Sequence, residues 1–558
     1  LYAKYKACAT PADPAQARAL ALSLQGFVLS GAELQEPAKS RFTEIQNRMA
    51  ELAQAYSEHV MDANDAFKLQ VPVERLVGLP EDVIAQARAM SSTEGEAVLT
   101  LHAPCYIPVM QYAQDRALRE QLYRAYATRA SELGDAKLDN SPLMTELLQL
   151  RAEEAKLLGY PHFAAVSLKP KMADSAEQVL GFLRELAVKA RPFAEADLVA
   201  VRAHAKTQGL DTIEAWDLAF VSESLKAAQY SYSEQELREY FTLPQVLDGL
   251  FALLAEMFGL RFAPVAASVW HSSVQTFALH RGDRLVGHVY LDLLAREGKR
   301  PGAWMDDVRG RWRRPDTGAV QTPVAHLVCN FASGVDGQPP LLTHDDVQTL
   351  FHEWGHGLHH LLTEVEVGGV SGIDGVEWDA VELPSQFFEN LAWEWHVLQR
   401  CTKHLKTGES LPRALYDKLI AAKNFQAGLQ TLRQVEFALF DMRLHAEDRT
   451  DVLALMDEVR AEISVFPPPA FNRMPHSFSH VFAGGYAAGY YSYKWAEVLS
   501  ADCWAAFEEE GVTNAATGLR FLNEILARGG SRPAIDSFIA FRGREPRTDA
   551  LLKSQGMA

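Results

Sequence analysis

Apolar residues recur at helical spacing along most of this chain, and strand spacing takes over in a single region. From Leu1 to about Leu168 the signal is helical. Its clearest stretch, Ala38 to Ala66, places Phe42, Ile45, Met49, Leu52, Ala55 and Tyr56 on one face. Pro72 and the Leu79-Pro80 pair interrupt the pattern. Helix resumes over Glu81 to Met90, Ala117 to Leu133 and Ser141 to Leu158, the last closed by Gly159 and Pro161. Ser175 to Lys206 reads as a helix pair or one bent helix, and Glu234 to Tyr240 and Leu243 to Phe258 continue the run. The period then shortens. Val274 to His280, Leu285 to Leu291 and Pro323 to Phe331 are short, rich in β-branched and aromatic residues, and bounded by Gly, Asp and Pro. The turn Arg281-Gly282-Asp283-Arg284 joins the first two as a hairpin.

The next helix begins at Thr343. Its side chain can cap the N-terminus, with Asp346 answering three residues on. Val347, Leu350, Phe351, Trp354 and Leu358 form its buried stripe. A glycine-rich loop follows, Gly368 to Gly375, without the spacing of a phosphate cradle. Helices are expected again over Asp379 to Gln399, Pro412 to Ala427, Thr431 to His445 and Val452 to Val465, until Pro467-Pro468-Pro469 stops them. Phe478 to Gly489 is rich in Gly, Ala and Tyr. The last helices run over Tyr490 to Glu509, Ala516 to Ala527 and Ala534 to Phe541. No internal repeat supports a solenoid. The expected fold is mainly α, with a small β-sheet next to the Thr343 helix.

Length and charge narrow the classes of function. A chain of 558 residues is too long for one simple domain, so two or more lobes are expected. A net charge of −18 argues against nucleic acid or an anionic membrane as partner. Arg309, Arg311, Arg313 and Arg314 are a short basic cluster, read as a solvated loop. The five cysteines, Cys8, Cys105, Cys329, Cys401 and Cys503, are scattered and form no Cys-x-x-Cys, which fits a reducing, cytoplasmic compartment. No stretch reads as a signal peptide or a membrane span. The chain begins at Leu1, already in helix-like sequence, and a preceding N-terminal stretch is expected.

The Thr343 helix carries the chemistry. His352-Glu353-Trp354-Gly355-His356 puts two imidazoles one turn apart on one side. They can bind one Zn²⁺, with Glu353 beside it to take a proton from water. A peptidase site of this kind needs a third protein ligand. His359 is a poor choice, because three ligands from one straight helix rarely close a tetrahedron; a place beside the site or against the substrate suits it better. A carboxylate is expected, from among Glu364, Glu366, Glu377, Glu382 and Glu389. Glu382 and Glu389 share one face of a helix read as capped by Asp379, amid Val381, Leu383, Phe387 and Phe388. Half-buried carboxylates there need partners. A metal would serve Glu382, and ligand-histidine N–H groups would serve Glu389 or Asp379. The lone His102 and His162 are read as structural.

Three separated tracts resemble the thimet oligopeptidase family of zinc peptidases. They are His352 to His359 together with Val381 to Gln386, then Ser477 to Tyr493, then Arg542 to Pro546. Gly369 to Gly372 and Trp378 to Glu382 agree, and the resemblance runs from about residue 25 to the end. Trp354 stands where the family usually has Phe. The resemblance implies two helical lobes flanking a deep substrate channel, with region 1–168 as an N-terminal helical part and region 169–558 as the catalytic part contributing to both lobes. It implies His352, His356 and Glu382 as ligands of one Zn²⁺ per chain and Glu353 as general base. His480, Tyr486 and Tyr493 would be catalytic groups on a loop that reaches the substrate, and Tyr490 would bind it. The expected enzyme is a cytoplasmic, monomeric zinc endopeptidase cutting short peptides without a covalent acyl-enzyme. A dipeptidyl carboxypeptidase of the same family and a metal-free helical peptide-binding protein are the alternatives.

Overall fold

The computed structural model describes residues 1–231, 234–296, 299, 302–334 and 338–557. The fold is mainly α with one small mixed sheet. The Ala38–Ala66 helix forms as patterned and buries Phe42, Ile45, Leu52 and Tyr56. The Tyr56 hydroxyl donates to the Pro475 carbonyl at 2.6 Å, tying this helix to chain far downstream. Ser175 to Lys206 is one helix, Ala176–Thr207, with Pro192 inside it. The Ser175 hydroxyl accepts from the Gln178 amide at 3.2 Å and starts it.

Several boundaries differ from the periodicity, each for a tertiary reason. The helix expected over Ala117 to Leu133 ends at Ala127. Ala130 turns left-handed there, with φ 51°, and its carbonyl accepts from the Asn140 amide. The N-terminal region is not purely helical. Leu69–Pro72 and Glu96–Leu99 pair as a two-stranded antiparallel sheet around the Glu81–Ala89 helix, made of segments too short to stand out. Helices over Ala103–Tyr112 and Ala215–Tyr230 were not expected. The helix expected from Asp379 to Gln399 is two, Glu382–Leu391 and Trp395–Cys401, and Asp379 does not cap the first.

The sheet adds two strands to the three expected. Its order is Leu260–Pro264, Gln275–Arg281, Arg284–Leu294, Val324–Phe331 and Trp304–Arg309. Arg284–Leu294 and Val324–Phe331 run parallel, and the other neighbours are antiparallel. Strand alternation sends Val289, Leu291, Leu293, Ala325, Leu327 and Cys329 to one face. There they share a core with Val347, Leu350, Phe351, Trp354 and Leu358 of the His344–Leu361 helix. A second large core joins Ile45, Leu52, Met144 and Val179 to Leu439, Val459, Val481 and Leu551. Among the described residues, no helix is long and apolar enough to cross a membrane.

The His344–Leu361 helix starts where expected. The Thr343 hydroxyl accepts from the Asp346 amide at 3.0 Å, and the Asp346 carboxylate accepts from the Thr343 amide at 2.9 Å. Trp354 is fully enclosed, edge-on to Phe251 and Phe262 at 5.6 and 5.5 Å between ring centroids. Its indole N–H has no hydrogen-bond partner among the described residues. Trp354→Phe therefore removes an unsatisfied donor along with some volume, and its cost is expected to stay below about 1.5 kcal/mol. Trp354→Ala is expected to cost about 3–5 kcal/mol. Denaturant unfolding midpoints of the two variants compare these directly.

Candidate metal centre

Two glycines let the His344–Leu361 helix lie between its neighbours. A methyl group placed on Gly357 would come 3.1 Å from Leu327 of the sheet. One on Gly355 would come 2.5 Å from the Ser385 Cα, closer than packing allows. The backbones of this helix and of the Glu382–Leu391 helix therefore touch at Gly355. That contact brings three donor atoms together. Glu382 Oε2 lies 3.2 Å from His352 Nε2 and 3.1 Å from His356 Nε2. Ligand atoms about 2.0–2.1 Å from a tetrahedral zinc stand about 3.3 Å apart, so a nitrogen-nitrogen-oxygen set with these edges fits that ion.

The surrounding groups fit a cation as well. His352 Nδ1 is 2.6 Å from Glu389 Oε1, so Nε2 is the nitrogen left to face Glu382. Burial alone would lower the pKa of His352, but hydrogen bonds with Glu382 and Glu389 carry it up to about 10. Burial would raise Glu382, yet the hydrogen bonds from His352 and His356 hold it well below the usual carboxylate range. The pocket thus favours positive charge. The Ser385 hydroxyl donates to Glu382 Oε2 at 2.9 Å and steadies it. Glu353 is buried, its Oε2 has no hydrogen-bond partner among the described residues, and burial raises its pKa.

The other carboxylates once open as third ligands are engaged elsewhere. Glu364 pairs with Arg284 at 2.7 Å. Glu366 pairs with Arg311 at 2.7 Å and Arg313 at 2.5 Å. Glu377 accepts from Arg18 at 2.8 Å and from the Ala534 amide at 3.2 Å. Asp379 does not reach a histidine of the pair. Its buried carboxylate accepts from the Met172 and Ala173 amides at 2.7 and 3.0 Å and from the Tyr491 hydroxyl at 2.7 Å. Three donors from distant loops outcompete a helix-capping role. His359 is as buried as Glu353. It is 3% exposed on the inward stretch of the helix, and burial pushes its pKa down to about 3. A second trio, Glu132, Asp139 and His476, also lies within mutual reach. Arg473 already pairs with Glu132 at 2.6 Å and Ser141 meets His476 Nε2 at 2.9 Å, so that group is answered without an ion.

Aromatic groups from the Phe478–Tyr493 tract form one cluster. The His480 ring lies 5.7 Å from Tyr486, 5.7 Å from Tyr490 and 6.4 Å from Tyr493. Tyr486 and Tyr493 stack at 5.2 Å. Burial raises both phenols, and the charge of Glu382 adds to this; the Gln386 side-chain amide donates to the Tyr493 carbonyl at 3.3 Å and ties the cluster to the Glu382–Leu391 helix. Tyr490 is turned aside, its hydroxyl donating to Gln434 at 3.0 Å. Trp378 meets the outer side of Tyr486 at 5.5 Å.

Residues 109–557 match the profile of peptidase family M3. The chain belongs to this family. It is 50% identical to oligopeptidase A of Escherichia coli (strain K12) over 558 residues, covering 98% of this chain and 82% of that protein. It is 33% identical to dipeptidyl carboxypeptidase of the same organism, covering 96% of this chain and 79% of that one. The solved structure of PZ peptidase A with inhibitor 2 has the same fold, with a TM-score of 0.56, 15% identity, and coverage of 100% of this chain and 83% of that one. Membership of family M3 makes the chain a metallopeptidase that acts on peptides.

Sequence reasoning overlooked Gly355 and Ser385. Both have local signals: a glycine inside a strong helix is a place of close approach, and Ser385 lies one turn from Glu382. Asp441, described below, had no local signal at all. In the M3 site the Gly355 contact sets where Glu382 stands. Gly355→Ala must part the two helices, at about 1–3 kcal/mol for overpacking. It is expected to weaken metal retention about tenfold or more, as loss of support around ligands does. Dialysis against a graded chelator series, followed by metal analysis, measures this against the parent protein.

Proposed function

We propose that this M3 peptidase is a zinc-dependent endopeptidase of short peptides, in which His352, His356 and Glu382 hold one zinc ion and Glu353 is the general base. The observation that carries the reading is the single Glu382 oxygen facing both imidazole Nε2 atoms, at 3.2 and 3.1 Å. A bound Zn²⁺ would supply Lewis-acid polarisation and lower the pKa of water toward ~7. Glu353, one residue from His352, takes the proton of the attacking water and returns it to the leaving amine. The raised pKa of a buried carboxyl suits both transfers. Glu389 fixes the His352 ring and its tautomer. The phenols of Tyr486 and Tyr493 and the imidazole of His480 are donors for the oxyanion that develops on the scissile carbonyl. Tyr490 contributes to the substrate wall next to them. Attack by water leaves no covalent acyl-enzyme. The endopeptidase reading is favoured over the dipeptidyl carboxypeptidase one by 50% against 33% identity to those two relatives.

The same reading extends to architecture. The two large cores become lobes on either side of a substrate channel, with the donor trio on its floor. Region 169–558 supplies the chemistry and region 1–168 completes one wall. The scattered free cysteines suit a cytoplasmic monomer.

Glu353→Gln leaves the donor trio intact. It is expected to keep its zinc and lose about 10²–10⁴-fold in kcat. Glu382→Ala is expected to lose the metal on dialysis, and Glu377→Ala to keep it. Metal analysis and peptide turnover on the three variants test the assignment together. Near-parental turnover by Glu353→Gln, or metal retained by Glu382→Ala, refutes it. Channel access is tested separately. A mixture of a short peptide, the same sequence inside a folded domain, and that domain denatured should be cut in the free and denatured forms only, because a folded backbone cannot thread to a recessed site without unfolding.

A further inference from the structure

The loop that carries Tyr486 is held at both ends by one buried network outside the metal site. Asp441 is fully buried on the Ala427–Ala446 helix. Its carboxylate accepts three consecutive backbone amides: Ala488 at 2.8 Å on one oxygen, Gly489 and Tyr490 at 2.9 Å on the other. His445, one turn on, lies with Nδ1 at 2.8 Å from the Asp441 carbonyl and at 3.1 Å from its carboxylate. His445 Nε2 accepts from Arg151 at 3.0 Å, so the ring proton is on Nδ1 and points to Asp441. Arg151 donates its other nitrogen to the Val481 carbonyl at 2.9 Å. The Ser167 hydroxyl reaches the Ala487 and Ala488 carbonyls, at 2.8 and 3.2 Å. Val481 on one side and Ala487–Tyr490 on the other are thus fixed to the same scaffold.

Between these anchors lie residues 482–486, with Gly484 and Gly485. Gly485 has φ 80° and nothing within 4 Å of where a Cβ would be. Ala488 takes a left-handed φ of 49°, a conformation an L residue keeps only when its surroundings hold it. Its amide is one of the three on Asp441. The strain therefore sits at the junction between the clamped segment and the free arc.

We propose that Asp441 is a positioning residue for peptide hydrolysis. By clamping Ala488, Gly489 and Tyr490, it confines movement of the tyrosine loop to the 483–486 arc, past the fully buried Phe482, and returns Tyr486 to one place against His480 and Tyr493. The inference rests on the reading above, in which Tyr486 serves the scissile carbonyl. Asp441 touches neither metal ligand nor substrate; it acts through the backbone that carries the phenol. Tyr490 and Tyr493 then form a fixed wall, and Tyr486 alone swings in to meet the carbonyl. A closing device of this kind changes the rate of the committed complex more than the binding of the peptide.

The test is Asp441→Asn in the full chain. Asn offers one acceptor oxygen and turns an NH₂ group toward backbone amides that also donate, so part of the clamp is lost. The expected result is kcat about 10–100-fold lower with KM changed less than about threefold, as for a misplaced catalytic group. Zinc content should stay at the parental level, and hydrogen exchange should speed up at the amides of 488–490 while that of the His344–Leu361 helix is unchanged. A kcat within about twofold of the parent, with those amides released, overturns the inference. A change confined to KM or a loss of zinc also overturns it. Should Asp441→Asn fail to fold, Ser167→Ala carries the test. It removes the two hydroxyl bonds to the arc's end and leaves Asp441 in place. A drop in kcat of about 3–10-fold with unchanged zinc supports the clamp, and an unchanged kcat refutes it. Failure of the zinc reading itself would show differently, as a parent enzyme without stoichiometric zinc or an active Glu353→Gln.

Discussion

Everything at this site depends on the contact between two helix backbones at Gly355. With any side chain there, the Glu382–Leu391 helix could not bring Ser385 against the His344–Leu361 helix. Glu382 would then miss one or both imidazoles. Gly357 performs the same service toward the sheet at Leu327. The helix bearing the histidines is therefore wedged rather than merely packed. On the Gly355 side its position is set by backbone, which yields far less than a side chain does; on the Gly357 side the neighbour is the Leu327 side chain. The fully enclosed Trp354, braced by Phe251 and Phe262, fills the remaining side.

Charge follows from that geometry. Three ionisable side chains are brought within hydrogen-bonding distance in a partly dry pocket, and such a group is stable only if its net charge is answered. The raised pKa that hydrogen bonds with Glu382 and Glu389 give His352 fits a pocket that draws positive charge. A divalent ion on the same atoms answers it better. Glu353 is left without a partner on one oxygen while every competing carboxylate nearby in sequence is paired. A buried carboxylate without a partner is costly, and the proposed proton transfer would give this one its task.

The second half of the machinery is built on different principles. The donor trio is rigid because helices meet at glycine. The tyrosine cluster combines a fixed wall with a short arc, because a buried carboxylate gathers three amides at one end and an arginine-histidine pair holds a carbonyl at the other. Asp379 links the two halves: it lies three residues before Glu382 and accepts from Tyr491 and from the Met172 and Ala173 amides. The turn that delivers the carboxylate ligand and the segment that delivers the phenols are thereby referred to one another.

The residues by themselves determined what is local. Helical spacing over Ala38–Ala66, the Thr343–Asp346 cap, the alternating strands and the one-turn separation of His352 and His356 all come from interactions between near neighbours, which a sequence displays directly. The carboxylate partner did not follow in that way. Five glutamates were open, and the spacing of Glu382 and Glu389 alone did not choose between them; likeness to a known family pointed to Glu382. Tertiary packing separates them, because Arg284, Arg311, Arg313 and Arg18, all distant in sequence, occupy Glu364, Glu366 and Glu377, while Glu389 meets His352 Nδ1 and only Glu382 faces both Nε2 atoms. Asp379 was read as a helix cap and His359 as a neighbour of the substrate, since both suit those roles locally. In the folded chain the first finds better donors in two far loops, and the second lies on the part of its helix that faces inward. Asp441 was invisible for the same reason. A carboxylate in the middle of a helix announces nothing until the fold carries three amides, some fifty residues away, to meet it.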